Sequence, residues 1–224
     1  MNKDSDERQV VSRQRVNDYG EVYTAEREVN AMLDLVKAET ERIDSRFLEP
    51  ACGTGNFLIE IQRRKLNVVE QRYSRSQYEY DMYAAQAISS SYGVELLMDN
   101  TEHCRQRLFD DFECRYQRIF GKMSEKYERC IKYLLNKNII CGDALSMLDN
   151  ADKPIIFCEW TFLGNGKVQR RDFQFDKLMV NVEFDPPKKF EEGLLFSDIG
   201  EPTFIHDPIK EYPVCNYLNI PDYD

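Results

Sequence analysis

Residues 46–65 read RFLEPACGTGNFLIEIQRRK, and the order of residue types in this stretch decides the fold. Phe47 and Leu48 begin a short apolar strand, which Glu49 and Pro50 bring to an end. Gly53 and Gly55 then supply a turn in which the backbone can reverse sharply and approach a ligand closely. Phe57, Leu58 and Ile61 follow at helical spacing and predict a helix with those side chains inward. Strand, glycine turn and helix in this order form the opening of a βαβ unit.

Working outward, Val29, Met32, Leu33 and Val36 recur at i, i+3, i+4 and i+7 and predict an amphipathic helix before the motif. Residues 70–87 are rich in Tyr, Arg, Gln and Ala and read as a helical excursion. SYGVEL, beginning at Ser91, is a second strand with an acid, Glu95, at its tip. A long helix follows with Cys104, Leu108 and Phe112 on one face. Another starts near Ser124 and carries Tyr127, Ile131, Leu134 and Leu135. NIICGDAL is a third strand, ending in Gly142 and Asp143. This alternation predicts an α/β fold with a mostly parallel sheet. Ligands of such sheets sit outside the carboxyl ends of the strands, and Glu49, Glu95 and Asp143 share that edge.

After Asp149 the pattern changes. PIIFCEW and GNGKVQRRDFQF read as strands around a Gly-Asn-Gly turn, and KLMVNVEF as one more. The final stretch carries Pro202, Pro208, Pro213 and Pro221 without helical periodicity. The expected organisation is therefore a polar segment at 1–18, a ligand-binding α/β domain at 19–150, a strand-rich extension at 151–190 and an extended tail at 191–224 that offers a contact to a partner.

Composition narrows the function classes. The 224 residues are 42% hydrophobic and 31% charged, with a formal net charge of −10. No stretch is long and apolar enough for a membrane span, and the charged N-terminus has no apolar signal region, so a cytoplasmic protein is expected. Seven cysteines without a C-x-x-C pair predict free thiols, with no zinc site and no disulfide framework. The acidic charge is poorly suited to duplex DNA, whose binding draws on Lys and Arg. Arg63, Arg64 and Lys65, and Arg170 and Arg171, are the local basic clusters, and both are expected to be solvated faces. His103 and His206 read as incidental, and Trp160 as a core or interface residue.

The string Glu49-Pro50-Ala51-Cys52-Gly53-Thr54-Gly55-Asn56-Phe57 resembles motif I of the adenine-specific (N6) DNA methyltransferases. The resemblance implies a Rossmann-like class I fold binding S-adenosyl-L-methionine, with this loop cradling the methionine moiety. Gly20-Glu21-Val22-Tyr23-Thr24-Ala25 is similar to the family's motif X, with Ala25 in place of its closing proline. Glu95 takes the place of the acid that accepts the ribose hydroxyls. Asp143, in Cys141-Gly142-Asp143-Ala144-Leu145, takes the place of the acid that accepts the adenine amino group. The cofactor-binding residues so implied are Tyr23, Thr24, Glu49, Ala51, Gly53, Gly55, Asn56, Phe57, Glu95, Asp143 and Ala144.

The same family uses a (D/N)-P-P-(Y/F) motif to polarise the adenine amino group and stack on the base. This chain offers Asp185-Pro186-Pro187-Lys188, with a lysine where the aromatic belongs, and reads there as a structural turn. EWTFLGNGKVQRRDFQFD resembles a bacterial subgroup of modification-methylase subunits in which a second polypeptide begins near NPPY. The resemblance thus implies an incomplete sheet completed by a partner subunit that carries NPPY and target recognition, with DNA bound through the complex. Two alternatives stand beside it: a self-sufficient methyltransferase using Asp185, and a non-catalytic cofactor-binding module that regulates a larger assembly.

Overall fold

The computed structural model describes residues 24–179 and 207–223, together with the backbone pairing of residues 195–196 and 202–203. Helix α1 (Glu26–Asp34) and the single turn α2 (Lys37–Thr40) lead into strand β1 (Phe47–Glu49). Helices α3 (Asn56–Tyr73) and α4 (Gln77–Ser89) connect it to β2 (Ser91–Glu95). Helices α5 (Met98–Phe120) and α6 (Glu125–Asn138) connect β2 to β3 (Ile139–Asp143). The short β4 (Leu148–Asp149) follows. Strands β1, β2 and β3 are parallel neighbours in that order, and β4 closes the far edge antiparallel to β3. The protein is thus α/β with a mixed, mostly parallel sheet.

Alternation along the strands fixes the two faces of this sheet. Ile139 joins the large core built from Leu58, Leu66, Ile88, Leu108, Phe112, Ile131 and Leu134 of the four connecting helices. Tyr92, Val94 and Ile140 point the other way, against Ile155, Phe157 and Phe175. Phe157 and Phe175 belong to a second unit, the hairpin of β5 (Ile156–Gly164) and β6 (Lys167–Gln174) followed by helix α7 (Phe175–Met179), and Ile155 leads into it. Its turn holds Gly164, Asn165 and Gly166 at φ of 81, 50 and 71°, as a Gly-Asn-Gly hairpin requires. Helix α6 starts where expected, because the Ser124 side chain accepts the Tyr127 N–H. Strands β7 (Leu195–Phe196) and β8 (Pro202–Thr203) pair with each other.

In its described part the proline-containing tail lies along the chain's own surface. Strands β9 (Lys210–Glu211) and β10 (Cys215–Asn216) pair with β6, and the 3-10 turn Tyr217–Asp222 packs on α6.

Three expectations are corrected. The basic clusters are not solvated faces. Lys65 is fully buried and donates to Ser45 O and to Ser90 Oγ, while Arg63 pairs with Asp111 and Arg64 with Glu60 and Asp34. Arg170 is buried in a two-bond pair with Asp172, between the rings of Trp160 and Tyr212. In both places a cation satisfies its hydrogen bonds inside the protein. The apolar stripe of α1 is half as wide as its spacing suggests: Val29 and Leu33 are buried, whereas Met32 and Val36 are exposed. The helix ends at Asp34, so Val36 is rotated away from the stripe. Finally, residues 177–179 of the expected KLMVNVEF strand close helix α7; residues 180–184 of it lie outside the described residues.

Trp160 is in the core, its Nε1–H donated to Asn138 Oδ1 at 2.9 Å. The cysteines of the described residues are free, and those residues contain no cluster able to hold a metal ion. No described helix is long and apolar enough to cross a membrane.

Candidate functional site

The loop after β1 is held in place from below. The Cys52 N–H is donated to Val94 O of β2 at 3.0 Å, and the Gly55 N–H to Cys52 O at 2.8 Å. Gly53 and Gly55 have φ of 53 and 88°, in the left-handed region that favours glycine. Gly55 caps α3, and a Cβ there would lie 2.6 Å from Cys104 Sγ. The loop can descend this far because Gly93, directly beneath, also lacks a side chain: a Cβ on it would meet Cys52 Sγ at 2.8 Å.

Above the loop a cleft of about 560 Å³ opens at the carboxyl ends of the three parallel strands. Thr24, Glu49, Ala51, Gly53, Asn56, Phe57, Glu95, Asp143 and Ala144, from four separate parts of the sequence, all line it. Gly55 lies under the loop and shapes it without lining the cleft. Tyr23, Asp185 and His206 lie outside the described residues.

Each acid is set differently. Burial pushes the Glu49 carboxyl above the usual carboxylate range, opposed in part by the Ala51 N–H that it accepts. Asp143 is held below that range by the Leu145 N–H at 2.9 Å and by the Ser146 hydroxyl. Glu95 is nearly buried and braces the loop: one oxygen accepts the Gly53 N–H at 2.9 Å, the other the Leu97 N–H at 3.0 Å and Asn100 Nδ2 at 3.3 Å. A carboxylate offers about four lone-pair positions, so accepting two ligand hydroxyls requires at least one of these donors to give way.

Several lining residues carry no sequence signal of their own. Leu96, Leu97 and Asn100 follow the second acid, and Leu145 follows the third. Leu96 and Leu145 are more than half exposed, Leu145 at 92%, which puts apolar surface at the mouth of a cleft otherwise edged by acids. Arg107 of α5 acts from behind. It donates to Thr54 O at 3.0 Å and to Asn56 Oδ1 at 2.7 Å, and Asn56 Nδ2 is donated to Thr24 O at 3.0 Å. This relay ties the loop, the start of α3 and the entry to α1 together.

Comparison with family models, curated proteins and solved structures returns no match for this chain. The chemistry of the cleft is therefore the guide to its ligand. A glycine loop leading into a helix N-terminus suits a phosphate in many proteins. Here Glu49, Glu95 and Asp143 surround the loop, and three carboxylates oppose an anionic ligand while favouring cationic centres, hydroxyls and amino groups.

Proposed function

We propose that this chain is the S-adenosyl-L-methionine-binding half of a DNA adenine-N6 methyltransferase with a Rossmann-like class I fold, active together with a second subunit that carries NPPY and target recognition. The observation that carries the reading is the gathering of Thr24, Glu49, the glycine loop, Glu95 and Asp143 around one acid-edged cleft. S-adenosyl-L-methionine has a sulfonium, an ammonium, two ribose hydroxyls and an adenine amino group, which is a ligand rich in the groups these carboxylates attract.

Within this reading the loop from Ala51 to Gly55 and the start of α3 lie along the methionine moiety. Glu95 accepts ribose hydroxyls after exchanging a loop donor, and Asp143 accepts the adenine amino group. Leu96 and Leu145 cover the two sides of the adenine. When bound, the cofactor supplies an electrophilic methyl group. This chain's residues hold and orient it, and the partner presents the adenine. The net charge of −10 fits a division in which the partner brings the DNA-binding surface.

Calorimetry with S-adenosyl-L-methionine on the purified chain tests the cofactor assignment. Binding is expected, and Asp143→Ala is expected to weaken it roughly tenfold without loss of fold, since an amino donor would lose its acceptor. Equal affinity in variant and parent overturns the role of Asp143. Labelled methyl transfer to mixed-sequence DNA tests the division: none is expected from the chain alone, and product is expected once the NPPY subunit is added. Transfer by the chain alone makes it self-sufficient. Silence with the partner makes it a non-catalytic module.

A further inference from the structure

The ligand loop follows β1, and among the described residues β1 is an edge strand that pairs with β2 alone. Edge strands of parallel sheets are normally covered, because their free N–H and C=O groups recruit other chains. The side of β1 turned towards the open edge can be identified. The Phe47 N–H is donated to Ser90 O at 3.0 Å, on the β2 side. Successive residues of a strand point their backbone groups in opposite directions, so the N–H and C=O of Leu48 face outward.

Beside that edge lies an apolar groove of about 440 Å³, whose walls include Leu48, Tyr92, Phe157, Phe173 and Leu178. Leu48 is 43% exposed. The groove has a charged rim at the amino end of β1, where Arg46 and Arg171 each pair with Glu159 at 2.5 Å. Two guanidiniums share one carboxylate there. The rim therefore carries net positive charge in a chain of net charge −10.

We infer that this edge and groove dock a β-strand of a second polypeptide, parallel to β1, with apolar residues at alternate positions and a carboxylate near its start. The inference rests on the proposed division of the enzyme between two subunits and says where they join. A parallel strand puts its carboxyl end beside Glu49 and the ligand loop, and the crevice between two outward-running connections is where such sheets bind ligands. Alternating apolar residues fill the groove over Leu48 and Tyr92, and the acid at the start answers Arg46 and Arg171. This chain's own Val180-Asn181-Val182-Glu183-Phe184 has the alternation, but its acid is at the opposite end.

Amide hydrogen exchange on the full chain, with and without cofactor, tests this. The probe is a synthetic peptide reading Asp, then alternating Val and Ile, then Asn-Pro-Pro-Tyr. At saturating peptide the Leu48 amide is expected to slow by about tenfold or more, while Phe47, already bonded to β2, changes little. Leu48→Lys, which places a charge in the groove, is expected to abolish the slowing of the amide at position 48. Leu48 already protected in the free chain means that the chain fills its own edge, and overturns the inference. So does a saturating peptide that leaves Leu48 unchanged. Protection of Leu48 in a chain that binds no S-adenosyl-L-methionine keeps the docking edge and removes the cofactor reading. Cofactor binding without protection does the reverse.

Discussion

Gly55→Ala is expected to destabilise the chain by about 2–4 kcal/mol and to remove most of its ligand affinity. Two separate penalties meet at this position. The backbone is left-handed, with φ of 88°, where an L side chain costs roughly 1–2 kcal/mol. In addition, the new methyl group would lie 2.6 Å from Cys104 Sγ, a buried atom of α5. Neither the loop nor the helix can retreat easily, since the loop is bonded to Val94 O and α5 is part of the main core. A double-mutant cycle separates the two costs. In a Cys104→Ala background the collision vanishes and the backbone strain stays, so Gly55→Ala is expected to cost roughly 1–2 kcal/mol there. Gly93→Ala provides the comparison. The clash with Cys52 Sγ at 2.8 Å and with Leu58 Cδ1 at 2.9 Å is purely steric, so Cys52→Ala is expected to relieve only part of it. Urea unfolding of the single and double variants measures all of these. Strict additivity at Gly55 and Cys104 would mean that the loop is not wedged against α5.

These contacts explain which parts of the site were legible in the sequence. The glycines announce themselves because no other residue fits their conformations, and an acid at the end of an apolar strand marks the carboxyl edge whatever lies around it. The Gly-Asn-Gly turn and the Ser124 cap are readable for the same reason: each is a local device, complete within a few residues. Leu96, Leu145 and Arg107 are different. A leucine one or two places after an acid looks like any core residue until the sheet edge leaves it more than half exposed. Arg107 reaches Thr54 and Asn56 only because α5 lies across the start of α3. The fold of the last described helix escaped for a related reason. Residues 177–179 open the apolar run of KLMVNVEF and read as the start of a strand, yet Phe175 anchors them by donating its N–H to Ile155 O at 2.9 Å and burying its ring against Phe157.

Lys65 was the least legible residue, and it predicts the largest effect of pH on stability. In the sequence it ends a run of three basic residues. In the fold it sits under β1, against the Phe47 ring at 4.9 Å, with Ser45 O and Ser90 Oγ as its acceptors. Burial lowers its pKa from 10.5 to about 7, opposed only weakly by Asp44. The folded state therefore holds this proton less tightly than the unfolded chain does. Between pH 10.5 and 7 the unfolded chain binds more protons, so Lys65 costs no stability above the upper value, and the cost grows as pH falls and levels off below the lower one. The full penalty is on the order of 5 kcal/mol. Raising the pH from 7 to about 8.5 is expected to recover roughly 1.5 kcal/mol of it. Above about pH 9 an opposing slope sets in, because burial raises the thiols of Cys130 and Cys158 to about 12 and unfolding then releases their protons. The rise must therefore be sought below that point, by denaturant unfolding at closely spaced pH values. Lys65→Met keeps the side-chain length and removes the charge. Its stability is expected to be flat over the interval in which the parent chain gains. A parallel rise in both proteins would mean that another group carries the proton, and no rise in either would mean that the Lys65 ammonium stays charged in its buried site.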